Sequence, residues 1–317
     1  MVMALSLDHA KENQVKIKGD GSGTVGETLF TGFFGSPKTP NFPHAGLSQR
    51  APGRSSRAHF HTVDQFQVVV GGKGKIGRHN LAPYSVHFSR AYTPYGPLLT
   101  DNKEGLTFFF LRAQPDPEPP HRMPENQGRL RQISDRIPWQ ITSLVTFPSA
   151  LSTTMFADLQ EVRGIKDENG LAAYTLSMKP NAHAYAPDPI HGDGQYIVVV
   201  KGSLLHDEQE HNALALVFIK PQEGPLRVHA GAAGLAAIVL NFPQRQMHAA
   251  NALASVTNTP GFESYQCSLC SFVYNESAGL PEEGITPGTL WKDVRDIWTC
   301  PDCNASKADF TMIKSRS

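Results

Sequence analysis

Apolar positions along this 317-residue chain fall in short runs rich in Val, Phe, Ile and Tyr, broken by Gly, Pro and Asn. Few segments hold a helical period for long, so the pattern predicts a mainly β protein. The runs also repeat. Gln65-Phe-Gln-Val-Val-Val70-Gly-Gly72 matches Gln195-Tyr-Ile-Val-Val-Val200-Lys-Gly202, and Gly96-Pro97-Leu98 matches Gly224-Pro225-Leu226. Farther on, Gly105-Leu-Thr-Phe-Phe-Phe-Leu111 matches Gly234-Leu-Ala-Ala-Ile-Val-Leu240. Three matches in one order, roughly 130 residues apart, predict two duplicated β-barrels. The Pro-rich stretch Gln114-Pro-Asp-Pro-Glu-Pro-Pro120 parts them, and a softer break rich in Ala, Asn, Ser and Thr follows the second. The expected plan is an N-terminal extension (1–24), a first barrel (25–113), a Pro-rich linker (114–135), a second barrel (136–243), a linker (244–262) and a small C-terminal domain (263–317).

All four cysteines lie in that last segment, as Cys267-Ser-Leu-Cys270 and Cys300-Pro-Asp-Cys303. Each two-residue spacer turns a pair of sulfurs toward one ion, so two pairs can close a tetrahedral tetrathiolate. Between them stands Gly284-Ile285-Thr286-Pro287-Gly288-Thr289, and Trp298, Pro301, Lys307 and Phe310 surround the second pair. From Tyr265 to Ile313 the chain resembles a rubredoxin. The resemblance implies one iron held by Cys267, Cys270, Cys300 and Cys303, without inorganic sulfide, shuttling one electron. A structural zinc ribbon with the same ligands is the alternative. The chain departs from the family at Ser271 and Asn304, where Gly usually follows each pair, and at Arg295 and Ile297. A domain of about 50 residues needs a metal clip and dense aromatics to be stable; Tyr265, Phe272, Tyr274, Trp291, Trp298 and Phe310 supply the aromatics.

Charge narrows the partners. Lys plus Arg and Asp plus Glu both total 29, which argues against nucleic acid. Residues 262–317 hold eight acidic and five basic side chains, leaving the body at about +3, a small complementarity that favours docking of the tail. The opening segment has no basic n-region, and no run of about eighteen apolar residues occurs, so neither a signal peptide nor a membrane span is expected. With every cysteine taken as a ligand, no disulfide framework is left, and a cytoplasmic setting is expected.

In the first repeat, Pro52-Gly53, His59-Phe-His61, Gln65 and Gly72 follow the pattern of a cupin's first motif, and the body resembles a bicupin. The family implies a catalytic metal in the barrel mouth. His59, His61 and Gln65 are the expected ligands, since alternation along a strand places them on one face. Gln65 stands where the motif has Glu and Tyr95 near where it has a second His; His87 or Tyr95 is a candidate to complete the set. Two imidazoles and an oxygen suit Fe(II) or another divalent transition metal. In the second repeat only His191 and Gln195 match, with Asp193 and Glu223 as substitutes, and a barrel without metal is the simplest expectation. Arg90 is expected to clamp a substrate carboxylate, with Tyr92 and Tyr95 as wall or proton donor. Gly21-Ser-Gly23-Thr-Val-Gly26 and Gly72-Lys-Gly74-Lys-Ile-Gly77 fit a dinucleotide-loop spacing but open no helix, and read as turns.

A tethered one-electron carrier has a direct purpose in a monooxygenase, which needs two outside electrons. The expectation is therefore an O2-dependent hydroxylation or oxidation of a small organic substrate at iron in the first barrel. No flavin or nicotinamide fold is recognisable in the chain, so a separate NAD(P)H-dependent rubredoxin reductase is implied. The competing expectations are a metal-poor bicupin that binds or isomerises a small molecule, with the iron centre as redox sensor or structural clip, or a bicupin docking scaffold for a rubredoxin that serves another protein.

Overall fold

Alternation in the repeated strands decides where each barrel faces. In Gln65–Gly72, Phe66 and Val68 leave one side while Gln65, Gln67 and Val69 leave the other. Leu106–Arg112 does the same, with Phe109 and Leu111 on the first side and Phe108, Phe110 and Arg112 on the second. The computed structural model describes residues 2–12, 14–17, 27–35, 42–133, 136–147, 156–244, 261–270 and 272–313. Ser271 and the Gly21–Gly26 motif lie outside them.

The first barrel closes a seven-stranded sheet against a four-stranded one. The larger sheet runs Gln140–Leu144, Ser85–Ser89, Gln65–Gly72, Leu106–Arg112, His44–Arg50, Glu27–Phe34, Gln14–Ile17. The smaller contains Ser55–Ser56, Leu98–Thr100, Gly74–Ile76 and His79–Leu81. In the second barrel, Gly192–His206 and Arg227–Pro243 are long strands whose register shifts let them bend across the barrel. The architecture is a bicupin followed by a small metal-binding domain.

Two strands pair away from the repeat they adjoin. Met3–Leu5, in the segment expected as an extension, pairs with Leu216–Ile219 of the second barrel. Gln140–Leu144, expected at the start of the second barrel, instead extends the first by pairing with Ser85–Ser89. Each covers an edge whose N–H and C=O groups would otherwise lack partners. Self-comparison cannot reveal this, because neither strand belongs to a repeated motif.

The outer faces of the larger sheets meet in the main core, where Phe33, Phe66, Phe88 and Phe109 pack with Tyr196, Phe218 and Phe242. Phe66 meets Phe242 edge-on at 5.0 Å, and the Tyr196 hydroxyl donates across the seam to the Arg112 carbonyl at 3.0 Å. The second barrel is filled by Leu176, Met178, Ile197, Val199, Val217 and Val239. Val69, Leu98, Leu106 and Phe108 belong to an apolar cluster in the first barrel, which still holds a large cavity.

The C-terminal domain is a three-stranded antiparallel sheet of Ser264–Cys267, Val273–Asn275 and Phe310–Ile313. Its aromatics form one cluster, with Tyr265 stacked on Trp291 at 4.9 Å. Among the described residues no helix is long and apolar enough to cross a membrane.

Phe66 is fully buried at the barrel seam. Phe66→Ala is expected to lower the stability of the body by about 3–5 kcal/mol, measured as a shift in urea unfolding.

Candidate functional site

The four thiols converge as the spacing requires. All four Sγ atoms lie within 4.8 Å of one another, with 3.5 Å between Cys270 and Cys300 and 3.8 Å between Cys267 and Cys303. A tetrahedron with metal–sulfur bonds of about 2.3 Å has edges of about 3.8 Å. The amides of Leu269 and Phe272 point at Cys267 and Cys270 sulfurs, at 3.4 and 3.5 Å. Asn304 takes the left-handed conformation (φ +59°) that its place after Cys303 demands.

Both cysteine loops face the first barrel. Leu269 and the four cysteines share a buried cluster with Ala58, Phe60, Met123 and Leu130 of the body. Three arginines ring this contact. Arg136 donates to the carbonyl of Ser268 and, at 3.4 Å, to that of Leu269; Arg131 pairs with Asp309; Arg78 lies 3.4 Å from Asp302 and over the Phe272 ring. Gly77 lets the second loop in. Its φ is +52°, and a Cβ there would come within 3.0 Å of Asp302 Cα and 3.1 Å of the Pro301 carbonyl. The weak charge complementarity read from composition thus has a local counterpart in these arginines.

Behind the contact lies a cavity of about 890 Å³ inside the first barrel. One short strand separates the two. Phe60 joins the cysteine cluster, stacked on His121 at 4.9 Å, while its neighbours His59 and His61 line the cavity. The Tyr92 amide donates to the His61 carbonyl at 2.7 Å, and backbone bonds between His59 and Tyr95 complete the wall.

Arg112 holds the centre. It donates to Gln65 Oε1 from Nε at 2.9 Å and from a terminal nitrogen at 2.7 Å. Because Arg only donates, Gln65 must present its oxygen here and its amide to Tyr95 Oη, 2.7 Å away. Gln67 also donates to that phenol, at 3.3 Å, so the Tyr95 hydrogen is not spent on either glutamine. His61 Nδ1 lies 2.7 Å from Asp116, and an Arg112 terminal nitrogen lies against the ring, 3.2 Å from Nε2 and 3.3 Å from Nδ1. Burial disfavours Asp116 ionisation, yet hydrogen bonds from His61 and Thr62 outweigh it and hold the carboxyl below its usual range. Burial, followed by the Arg112 charge, lowers His44 to about 4 and depresses His61 well below 6.5. Burial is also the main reason His59 falls to about 4, His87 to about 3, and the Tyr95 phenol rises to about 12. At neutral pH the imidazoles and the phenol are thus neutral, and the charged groups of the lining are four arginines (Arg50, Arg57, Arg112, Arg122) and three carboxylates (Glu27, Asp116, Glu118).

The rubredoxin family model matches residues 264–310. Over 52 residues the chain is 54% identical to a rubredoxin of Acinetobacter baylyi, covering 16% of this chain and 96% of that protein. Rubredoxin-2 of Pseudomonas aeruginosa is 54% identical over 50 residues, 16% of this chain and 91% of that one. Through its C-terminal domain the chain belongs to the rubredoxin family. The body resembles a Nostoc punctiforme protein described as a candidate dioxygenase, with a TM-score of 0.51 and 14% identity over 80% of this chain and 87% of that one. A nickel(II)-bound pirin from Escherichia coli aligns with a TM-score of 0.47 and 10% identity, over 77% of this chain and the whole of that one. The first likeness speaks for the fold alone.

The rubredoxin thiolates fit an iron ion in number, spacing and burial, and iron held there supplies reversible one-electron chemistry. The set expected in the barrel fits less well. His59 and His61 do lie together, with ring centroids 5.3 Å apart, and Gln65 shares their cavity. But Arg112, absent from the sequence reading, already occupies the Gln65 oxygen, and its terminal nitrogen lies against the His61 ring, 3.2 Å from Nε2 and 3.3 Å from Nδ1. A divalent ion bound by the same atoms would lie against a guanidinium that cannot lose its charge, so this donor set as arranged does not suit one.

Other expectations resolve differently. Tyr95 lines the cavity; Arg90 does not. Arg90 is buried at the seam, 2.5 Å from Asp167 of the second barrel, because the strand carrying it turns toward that barrel. His87 bonds Thr142 at 2.9 Å and packs 5.1 Å from Tyr95 without lining the cavity. Among the described residues His191, Asp193 and Glu223 form no ligand cluster. The Pro-rich stretch is not a mere linker, since Asp116 to Pro120 fold over the cavity. His44 and Asp116 went unread, as did Arg112. Parity offered the one signal: Leu106, Phe108, Phe110 and Arg112 alternate onto the inner face.

Two measurements check this site. The unfolded state binds protons that the depressed histidines refuse, so stability should fall as pH drops from about 6.5 toward 4, by a few kcal/mol in total; the melting temperature against pH reads it, and His44→Gln should flatten the slope. Arg136→Gln removes a cation beside the cysteine loops and should make the rubredoxin midpoint potential more negative, on the order of tens of millivolts. Protein-film voltammetry on the whole chain measures it.

Proposed function

We propose that the protein is an oxidoreductase whose rubredoxin domain serves a small organic substrate held in the first barrel. The observation carrying this reading is the segment at residues 59–61, built on the strand His59–Phe60, with Phe60 in the cysteine cluster and His59 and His61 in the cavity wall. A single strand separates the cysteine cluster from the cavity, and this closeness favours direct electron transfer between them. The docking arginines hold the two compartments in that relation, and the fused arrangement keeps the local concentration of the donor domain high. Phe108 and Phe110 give the substrate an apolar wall, Arg112 supplies charge, and Tyr95 supplies a hydroxyl hydrogen. A cytoplasmic setting, with electrons from a separate reductase, belongs to the same reading.

An O2-dependent hydroxylation at a second iron is the more specific version. The fused electron carrier favours it, and Arg112 among the barrel donors weighs against it. Iron analysis of purified protein separates the versions: one iron per chain supports a redox change on the bound organic molecule, and two support the oxygenase.

Leu29 is a half-buried cavity residue, so Leu29→Trp fills space while leaving Arg112 and the four cysteines unsubstituted. Reduced protein mixed with menadione in a stopped-flow spectrometer should be oxidised with saturable kinetics. Leu29→Trp should slow this by about tenfold, or ~1.4 kcal/mol. Equal rates in the two proteins would remove the cavity from the electron route.

A further inference from the structure

We infer that the first barrel is a carboxylate site anchored by Arg112, and that its substrates are small organic acids with an apolar, ring-sized body. The inference rests on the reading of the cavity as the substrate site and adds the substrate class. Arg112 is 8% exposed, and among the described residues no carboxylate forms an ion pair with it. Its partners are Gln65, His61 and His44, and the two imidazoles are held neutral by burial and by Arg112 itself. The nearby acids are committed elsewhere. Asp116 accepts from His61 and from the Thr62 hydroxyl and amide, and Glu27 accepts from Ser48 and Arg50. A buried cation without a direct counter-ion is costly, and a carboxylate ligand removes that cost.

The bond lengths show where the ligand enters. Arg112 is fixed by short bonds to Gln65, at 2.9 and 2.7 Å, but reaches His61 and His44 only at 3.2 to 3.4 Å. Those longer contacts are the ones that two charge-assisted bonds to a carboxylate would displace. Phe108, Phe110 and Leu98 wall the adjoining space, and the Tyr95 hydroxyl borders it. The second barrel shows that the fold does not require the cation. There Asn241 takes the place of Arg112 opposite Gln195, bonds it at 2.8 Å, and faces an interior lined by apolar side chains.

Isothermal calorimetry on the iron-loaded full chain tests this with benzoate and its neutral analogue benzamide. Benzoate should bind saturably and roughly tenfold tighter than benzamide. Arg112→Gln should erase that preference, and Arg112→Lys should keep part of it. Equal affinity for the two probes in the native protein, no benzoate binding at millimolar concentration, or an undiminished preference in Arg112→Gln would overturn the inference. Should Arg112→Gln not fold, Leu29→Trp serves instead: loss of benzoate binding supports the site, and unchanged binding overturns it. Benzoate binding together with menadione oxidation that ignores the cavity would leave the anion site standing and remove only the redox reading.

Discussion

Side chains leave a β-strand on alternate sides, and this constraint organises the molecule at three places. Along Gln65–Gly72 and Leu106–Arg112 it sends Phe66 and Phe109 to the seam between the barrels, and Gln65, Gln67 and Arg112 with Phe108 and Phe110 into the cavity. Around residues 59–61 it sends Phe60 toward sulfur and the flanking histidines toward the cavity. A shift of one residue in any of these strands would exchange the two faces, placing polar and charged side chains in the core. The hydrophobic seam therefore fixes the register, and the register fixes the chemistry.

The two barrels show how little separates a cavity from a packed interior. Their matching strands place Gln65 opposite Arg112 and Gln195 opposite Asn241. Asparagine accepts one neutral bond from its glutamine and brings no net charge. Arginine brings a charge that needs space, donors' partners and a route to an anion. Duplication supplied one scaffold twice, and the position at the end of this strand carries a charge in one interior and none in the other.

Much of this was legible from residues alone. The cysteine spacing, the aromatic density around it and the internal repeat indicated the three-part fold, because metal geometry and strand period are local properties. His59, His61, Gln65 and Tyr95, expected as ligands or catalytic groups, share the cavity wall, and the strand alternation and motif spacing that singled them out are local properties too. Arg112, His44 and Asp116 were not, because their roles arise only when distant strands and a Pro-rich segment close over one space. Arg90 misled for the converse reason: its neighbourhood resembled a cavity border, but its partner Asp167 lies in the other barrel. The swapped strands Met3–Leu5 and Gln140–Leu144 likewise depend on which edge is bare, a property of the assembled sheets.

The clasp of Arg78, Arg131 and Arg136 on the rubredoxin has a directional effect. It seats both cysteine loops against the barrel, with Leu269 and Ala305 sealed from solvent. While the clasp is closed that face of the small domain is covered, so under the proposed redox function a protein donor would have to approach the opposite pole. Entry and exit would then be segregated, and iron held by the four thiolates would act as a through-conductor instead of a shuttle that must turn around between partners.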